Sequence, residues 1–199
     1  MGSCNSGGKG GLGLSKGGSD GVPFKKGNEI APEQAVYNVN AQRYFTDSGF
    51  RVNCQRCVWA YEMQRRGYDV EALPAPQGDT LCRNGNWMGI VQNKNNLIAE
   101  PVGASRVNAE VKNITNTMSA WGEGSRGIVR MAKGRSGHVF NVEYKNGKVV
   151  GYEAQTGQVV DLTSKLSGTR RNYTTLVRTD NVKFNSNEVS KYVKERGKN

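Results

Sequence analysis

GHVFNVEYKNGKVVGYEAQTG, residues 137–157, reads as two strands joined by a two-residue loop. Val139, Asn141 and Glu143 alternate with Phe140, Val142 and Tyr144, the period of a strand. Asn146-Gly147 then supplies the two positive-φ residues that a tight hairpin needs. With that loop, Lys145 meets Lys148, and counting outward sets His138 opposite Gln155 and Phe140 opposite Glu153. Residues 138, 140, 153 and 155 share one face of the ribbon. His138 and Glu153 become diagonal neighbours, with Cβ atoms ~7 Å apart or somewhat closer. An imidazole therefore lies beside both a carboxylate and a carboxamide, and either one can orient the ring and fix its tautomer. His138 is the only histidine in the chain, and the preceding GRSG gives the backbone freedom to present it.

Around this hairpin the sequence continues as sheet. GIVRMA (127–132) and YTTLVRTD (173–180) read as further strands, and QTGQ (155–158) as a turn. Upstream, Val107, Val111, Ile114 and Met118 recur at helical spacing and predict a helix over 104–120, ended by Gly122 and Gly124. Earlier still, RVNCQRCVWAYEMQRRG (51–67) predicts a helix with Asn53 at the N-cap and Gly67 just past the end. Cys54, Cys57, Val58 and Tyr61 fall on one face of it, the face expected to pack on the core. Residues 29–50 read as an irregular lead-in and 68–102 mostly as loop, with a short apolar piece at Trp87–Val91. EVSKYVKER (188–196) reads as a short amphipathic C-terminal helix. Helices first and an antiparallel sheet after them indicate an α+β fold.

The chain has 199 residues, about one domain with a tail. Residues 1–28 are Gly-rich and predict a flexible arm, with the domain over 29–199. The opening MGSCNS fits the N-myristoylation pattern, with Cys4 placed for a second acyl chain, although a plain unstructured start suits the same residues better. No apolar run approaches the length of a membrane span, and no signal-peptide core is visible. The formal net charge is +11, but the basic residues are scattered and follow no nucleic-acid-binding motif. That pattern fits a solvated surface with only non-specific affinity for nucleic acid.

The cysteines are Cys4, Cys54, Cys57 and Cys82, too few in a chain of this length to suggest a disulfide framework. Cys54-x-x-Cys57 admits several chemistries. A thioredoxin-like redox pair wants a preceding strand, whereas the sequence ahead of it is irregular. Structural zinc wants two close pairs of ligands, and Cys54, Cys57, Cys82 and His138 offer only one. Purely structural thiols are a further reading. A nucleophile gains most at a helix N-terminus, where free N–H groups and the macrodipole favour a thiolate. That favours Cys54, at the first helical position, over Cys57 one turn further in.

These segments resemble a known family. RVNCQRCVWAYEMQRRGYDVEALP (51–74) resembles the nucleophile segment, and GEGSRGIVRM (122–131) with GHVFNVEYKNGKVVGYEAQTG the histidine hairpin, of the papain-fold toxin family of glutamine deamidase type. Such domains occur in bacterial polymorphic toxins and phage head-associated proteins. The resemblance implies a papain-like fold, with an N-terminal nucleophile helix packed on an antiparallel sheet. It also implies a Cys-His-acid triad of Cys54, His138 and a third residue. The family's D-P-Q-T-G segment falls on Glu153 to Gly157, with Glu153 for Asp and Ala154 for Pro, so either Glu153 or Gln155 completes the triad. For the oxyanion the Cys54 backbone N–H is the first candidate donor, with the Asn53 side chain as an oxyanion-binding or orienting residue beside it. The implied activity is hydrolysis of an amide in a protein substrate without metal or other cofactor. It is most naturally a glutamine deamidase acting as a toxin or phage-delivered effector, with a cysteine protease as the alternative. A virion or secretion-complex module that keeps the fold without activity is a separate reading. The settings implied are the bacterial cytoplasm, a virion or a target cell.

Overall fold

In the computed structural model, residues 20–81, 85–134 and 136–198 are described. The hairpin is formed by β4 (Ser136–Lys145) and β5 (Lys148–Glu153). Asn146 and Gly147 take φ of 52° and 74°, the pair of left-handed residues that a tight turn between twisted strands requires. The ladder runs from Lys145↔Lys148 to Asn141↔Tyr152, the register expected from the loop. β3 (Arg126–Lys133) lies on the other side of β4 and pairs in turn with β7 (Thr175–Arg178). β2 (Ala99–Pro101) and β6 (Gln158–Val160) close the two edges. The result is a six-stranded antiparallel sheet in the order β2-β7-β3-β4-β5-β6.

Alternate residues of these strands feed two cores on opposite faces. Ile128, Val139, Tyr152 and Val177 pack with α2 (Cys54–Arg65). Val129, Phe140, Val142 and Leu176 pack with α3 (Val107–Trp121) and α4 (Leu162–Leu166). Helix α2 is tied to β4 by side chains as well as by packing. Asn141 Nδ2 donates to the Val58 carbonyl at 3.1 Å, and Glu143 accepts from Tyr61 Oη and Arg65 Nε, each at 2.7 Å. These bonds fix the height of α2 along the sheet, and with it the position of Cys54.

One expectation changes for α2. The sequence suggests a single core-facing side, yet every residue from Gln55 to Gln64 is buried. The second side is covered by a small sheet of β1 (Val70–Ala72) and β8 (Val193–Glu195), and by a 3₁₀ turn over Asn86–Ile90 whose Trp87 carbonyl accepts from Trp59 Nε1 at 2.7 Å. The polar residues of α2 survive burial because each is paired. Gln64, for example, accepts from Asn38 and donates to the Val70 carbonyl.

Other local expectations are also revised. The lead-in contains α1 (Pro32–Asn38), which proline opens at its first position. The expected C-terminal helix is only α5 (Ser186–Val189), and the chain then turns into β8 to pair with β1. Of the Gly-rich arm, residues 1–19 lie outside the described residues, as does the MGSCNS motif. Residues 20–28 instead pack on the domain. Val22 is 1% exposed, and Gly27 N–H donates to the Gly67 carbonyl at 2.7 Å.

Candidate active site

Cys54 is the first residue of α2 and Asn53 its N-cap. The cap position is as expected, but the Asn53 side chain makes no capping bond. It turns inward and is 0% exposed. Its Nδ2 donates to Asn40 Oδ1 at 2.8 Å and to the Leu73 carbonyl at 2.9 Å. Its Oδ1 accepts from Cys57 Sγ at 3.2 Å and from Gln155 Nε2 at 3.5 Å. Both amide protons are therefore committed inside the protein.

The two cysteines differ sharply. Cys57 is 0% exposed, and burial pushes its thiol well above the usual range. It is a neutral packing group that donates to Asn53. Cys54 is half-buried, at the positive end of the α2 macrodipole, and its Sγ lies 3.5 Å from Gln55 Oε1. Both are free thiols. Cys82, the third possible zinc ligand, lies outside the described residues. Among the described residues no group of three or more His, Cys, Asp and Glu side chains is placed to hold a metal ion.

His138 sits near the start of β4 with its ring about a quarter exposed. Its Nε2 is 2.6 Å from Glu153 Oε2. Burial alone would depress the imidazole, but hydrogen bonds with the Cys54 and Glu153 side chains outweigh it and raise His138 to about 9. The structure thus brings Cys54, His138 and Glu153 together from α2, β4 and β5. Glu153 is 3% exposed. Burial opposes its charge, but the bond to His138 and the charges of His138 and Lys165 hold it below the usual carboxylate range. It enters the site as an anion.

Gln155 lies elsewhere. The β5 ladder stops at Glu153, and the next residues form a turn in which Thr156 and Gly157 N–H both donate to the Glu153 carbonyl, at 3.2 and 2.8 Å. The turn carries the Gln155 carboxamide to Asn53 rather than to His138, while the Gln155 backbone carbonyl accepts from Asn40 Nδ2 at 2.7 Å.

Two neighbours escaped the sequence reading. Asn40, 2% exposed, links Asn53, the Phe50 carbonyl and the Gln155 carbonyl. Lys165, on α4, ion-pairs with Glu153 Oε2. Neither belongs to a motif, and each reaches the site only through tertiary packing. Asn53→Ala should strip this buried network of four bonds and lower stability by about 3 kcal/mol, checked by urea unfolding.

A half-buried thiol at a helix start, a histidine from a neighbouring strand and a buried carboxylate behind it suit nucleophilic amide chemistry. The family model described as papain fold toxin 1, glutamine deamidase, matches residues 52–158. The chain belongs to this family. The matched segment spans Asn53 and Cys54 at one end and Glu153 and Gln155 at the other. No curated protein and no solved structure matches the chain. Among the described residues no helix is long and apolar enough to cross a membrane.

Proposed function

We propose that this protein is a thiol-dependent protein glutamine deamidase, with Cys54 as nucleophile, His138 as general acid and base, and Glu153 as the residue that orients the imidazole. The observation that carries this is His138 Nε2 lying 2.6 Å from Glu153 Oε2, with Cys54, at the start of α2, near enough to help raise the imidazole. Glu153 is ionised, so Nε2–H donates to it and Nδ1 is the nitrogen left to serve the thiol.

The reaction follows from that order. Cys54 and His138 share one proton, which lies on the imidazole when the thiolate attacks the carbonyl carbon of a glutamine side chain. The oxyanion formed there is met by the Cys54 backbone N–H at the start of α2. The imidazolium then protonates the departing nitrogen, ammonia leaves, and a thioester remains. His138 next takes a proton from water, and the hydroxide attacks the thioester. The carboxylate product departs as glutamate, and Cys54 is restored. Asn53 and Gln155 support the root of the nucleophile helix and take no part in proton transfer.

Within this reading the protein acts as a toxin or delivered effector on a protein of a target cell, with a virion or secretion complex as its carrier. The Gly-rich, basic N-terminal segment suits tethering to such a carrier. The test is mass spectrometry of candidate target proteins incubated with wild type and with Cys54→Ala. A gain of about one dalton at a glutamine, in the wild-type sample alone, supports deamidation. A new terminus would instead assign proteolysis, and no change on any target would favour an inactive module.

The pH profile follows from His138. Its conjugate acid is the proton donor to the leaving nitrogen, and it survives up to about pH 9. Activity should therefore hold through neutral pH and fall as the pH rises past about 9, measured as ammonia release against pH. The same contact adds stability that is fully present below the ordinary imidazole value and is lost as pH rises through about 9.

A further inference from the structure

Helix α4 has an orientation fixed at three points. Asp161 caps it by accepting from the Ser164 N–H at 2.8 Å, and Leu162 and Leu166 are buried in the core beneath the sheet. Lys165, between those leucines, is thereby aimed at the ends of β4 and β5. Its Nζ lies 5.8 Å from the Phe140 ring centroid and ion-pairs with Glu153. The oxygen it takes is Oε2, the same oxygen that His138 Nε2 contacts at 2.6 Å. Oε1 of Glu153 accepts from the Gln155 backbone N–H at 3.3 Å. One carboxylate oxygen therefore serves an imidazole and an ammonium together. Lys165 lies outside the segment matched by the family, which ends at residue 158.

We propose that Lys165 is a positioning residue of the hydrolytic site: it holds the Glu153 carboxylate against His138 and limits how strongly that carboxylate stabilises the imidazolium. The inference rests on the Cys54-His138-Glu153 reading. Its first part is geometric. A glutamate has one more rotatable bond than an aspartate, and a second, charged partner on Oε2 removes the freedom that bond adds. Its second part is electrostatic. Lys165 faces Glu153 from α4, His138 faces it from β4, and Cys54 meets His138 from α2. Cys57, close enough to interact with Glu153 through space, is buried and neutral. Lys165 is the second cationic side chain on Glu153 Oε2. It competes with the imidazolium for Glu153, so His138 is not held so basic that it cannot give up its proton to the leaving nitrogen.

His138 is the only histidine in the chain, so its imidazole gives one titrating Cε1–H signal by NMR. The experiment compares the full chain as wild type, Lys165→Met and Lys165→Arg. Met keeps the stem that packs near Phe140 and removes only the charge. Wild type should titrate near pH 9. Lys165→Met should move the midpoint upward by about half a unit or more, and Lys165→Arg should return it toward wild type. An unchanged or lower midpoint in a folded Lys165→Met, checked by its thermal melt, overturns the proposal. So does an Arg variant that behaves as Met does. A wild-type midpoint near the ordinary imidazole value of about 6.5 would show that His138 lacks its anionic partners, and would overturn the triad reading together with the role of Lys165.

Discussion

Cys54→Ala releases no ammonia from a glutamine-bearing substrate, and His138→Ala lowers kcat by about a thousandfold or more. These are the expected results of the first experiment on this site. The double variant should lose no more than the worse of the two single variants, because nucleophile and base act as one unit. Glu153→Gln keeps the shape behind His138 and removes the charge. It should fall between wild type and His138→Ala, since the imidazole loses the anion that fixes its tautomer. Gln155→Ala, whose carboxamide bonds to Asn53 and not to the ring, should cost stability with a much smaller effect on the chemical step. Steady-state kinetics on the substrate identified by mass spectrometry orders these variants. Equal losses for Glu153→Gln and Gln155→Ala would contradict the assignment of Glu153.

The second large effect is on stability and lies away from the thiol. Glu62, in the middle of α2, is 0% exposed. Its Oε1 accepts from Arg66 Nε at 2.7 Å and Arg126 Nη2 at 2.9 Å, and its Oε2 from Arg126 Nε and Thr179 Oγ1, each at 2.9 Å. Two guanidiniums, from the C-cap of α2 and from β3, thus share one buried carboxylate. Glu62→Gln keeps the volume but removes the buried carboxylate that both arginines share, and should cost about 3–5 kcal/mol by urea unfolding. The pH dependence has a definite sign. Burial opposes the charge of Glu62, but Arg126 and Arg66 hold the carboxyl down to about 2, below its unfolded value near 4.5. The stabilisation is therefore complete above about pH 4.5 and drains away as the pH falls toward 2, by about 3 kcal/mol in all. Acid unfolding of wild type should show that loss, and Glu62→Gln should show much less of it.

The parts legible in the sequence are those set by local rules. Asn146-Gly147 determines a turn type, the turn determines a register, and the register brings His138 and Glu153 to one face of a ribbon. The α2 boundaries follow from Asn53 and Gly67 in the same way. Where local rules compete with tertiary contacts, the reading fails or stays open. Counting along the ladder puts Gln155 opposite His138, but the strand ends at Glu153 because the following turn folds back on the Glu153 carbonyl. Asn53 occupies a cap position without capping, because Asn40, Leu73 and Cys57 compete for its side chain. The polar residues of α2 suggest a solvated face, and nothing nearby in sequence reveals that Arg126 and Thr179 wait to pair with Glu62. Lys165 is invisible for the same reason, since only the burial of Leu162 and Leu166 turns it toward Glu153.

Alkylation of the native protein by iodoacetamide at about pH 6, followed residue by residue by peptide mass spectrometry, tests the central claim most directly. Cys57 is buried with its thiol held well above the usual range, whereas Cys54 is half-buried at a helix start. Cys54 should react at least about a hundredfold faster than Cys57, and His138→Ala should bring it down to the rate of an ordinary exposed thiol. Slow, similar labelling of both cysteines in wild type, unchanged by His138→Ala, would contradict the account.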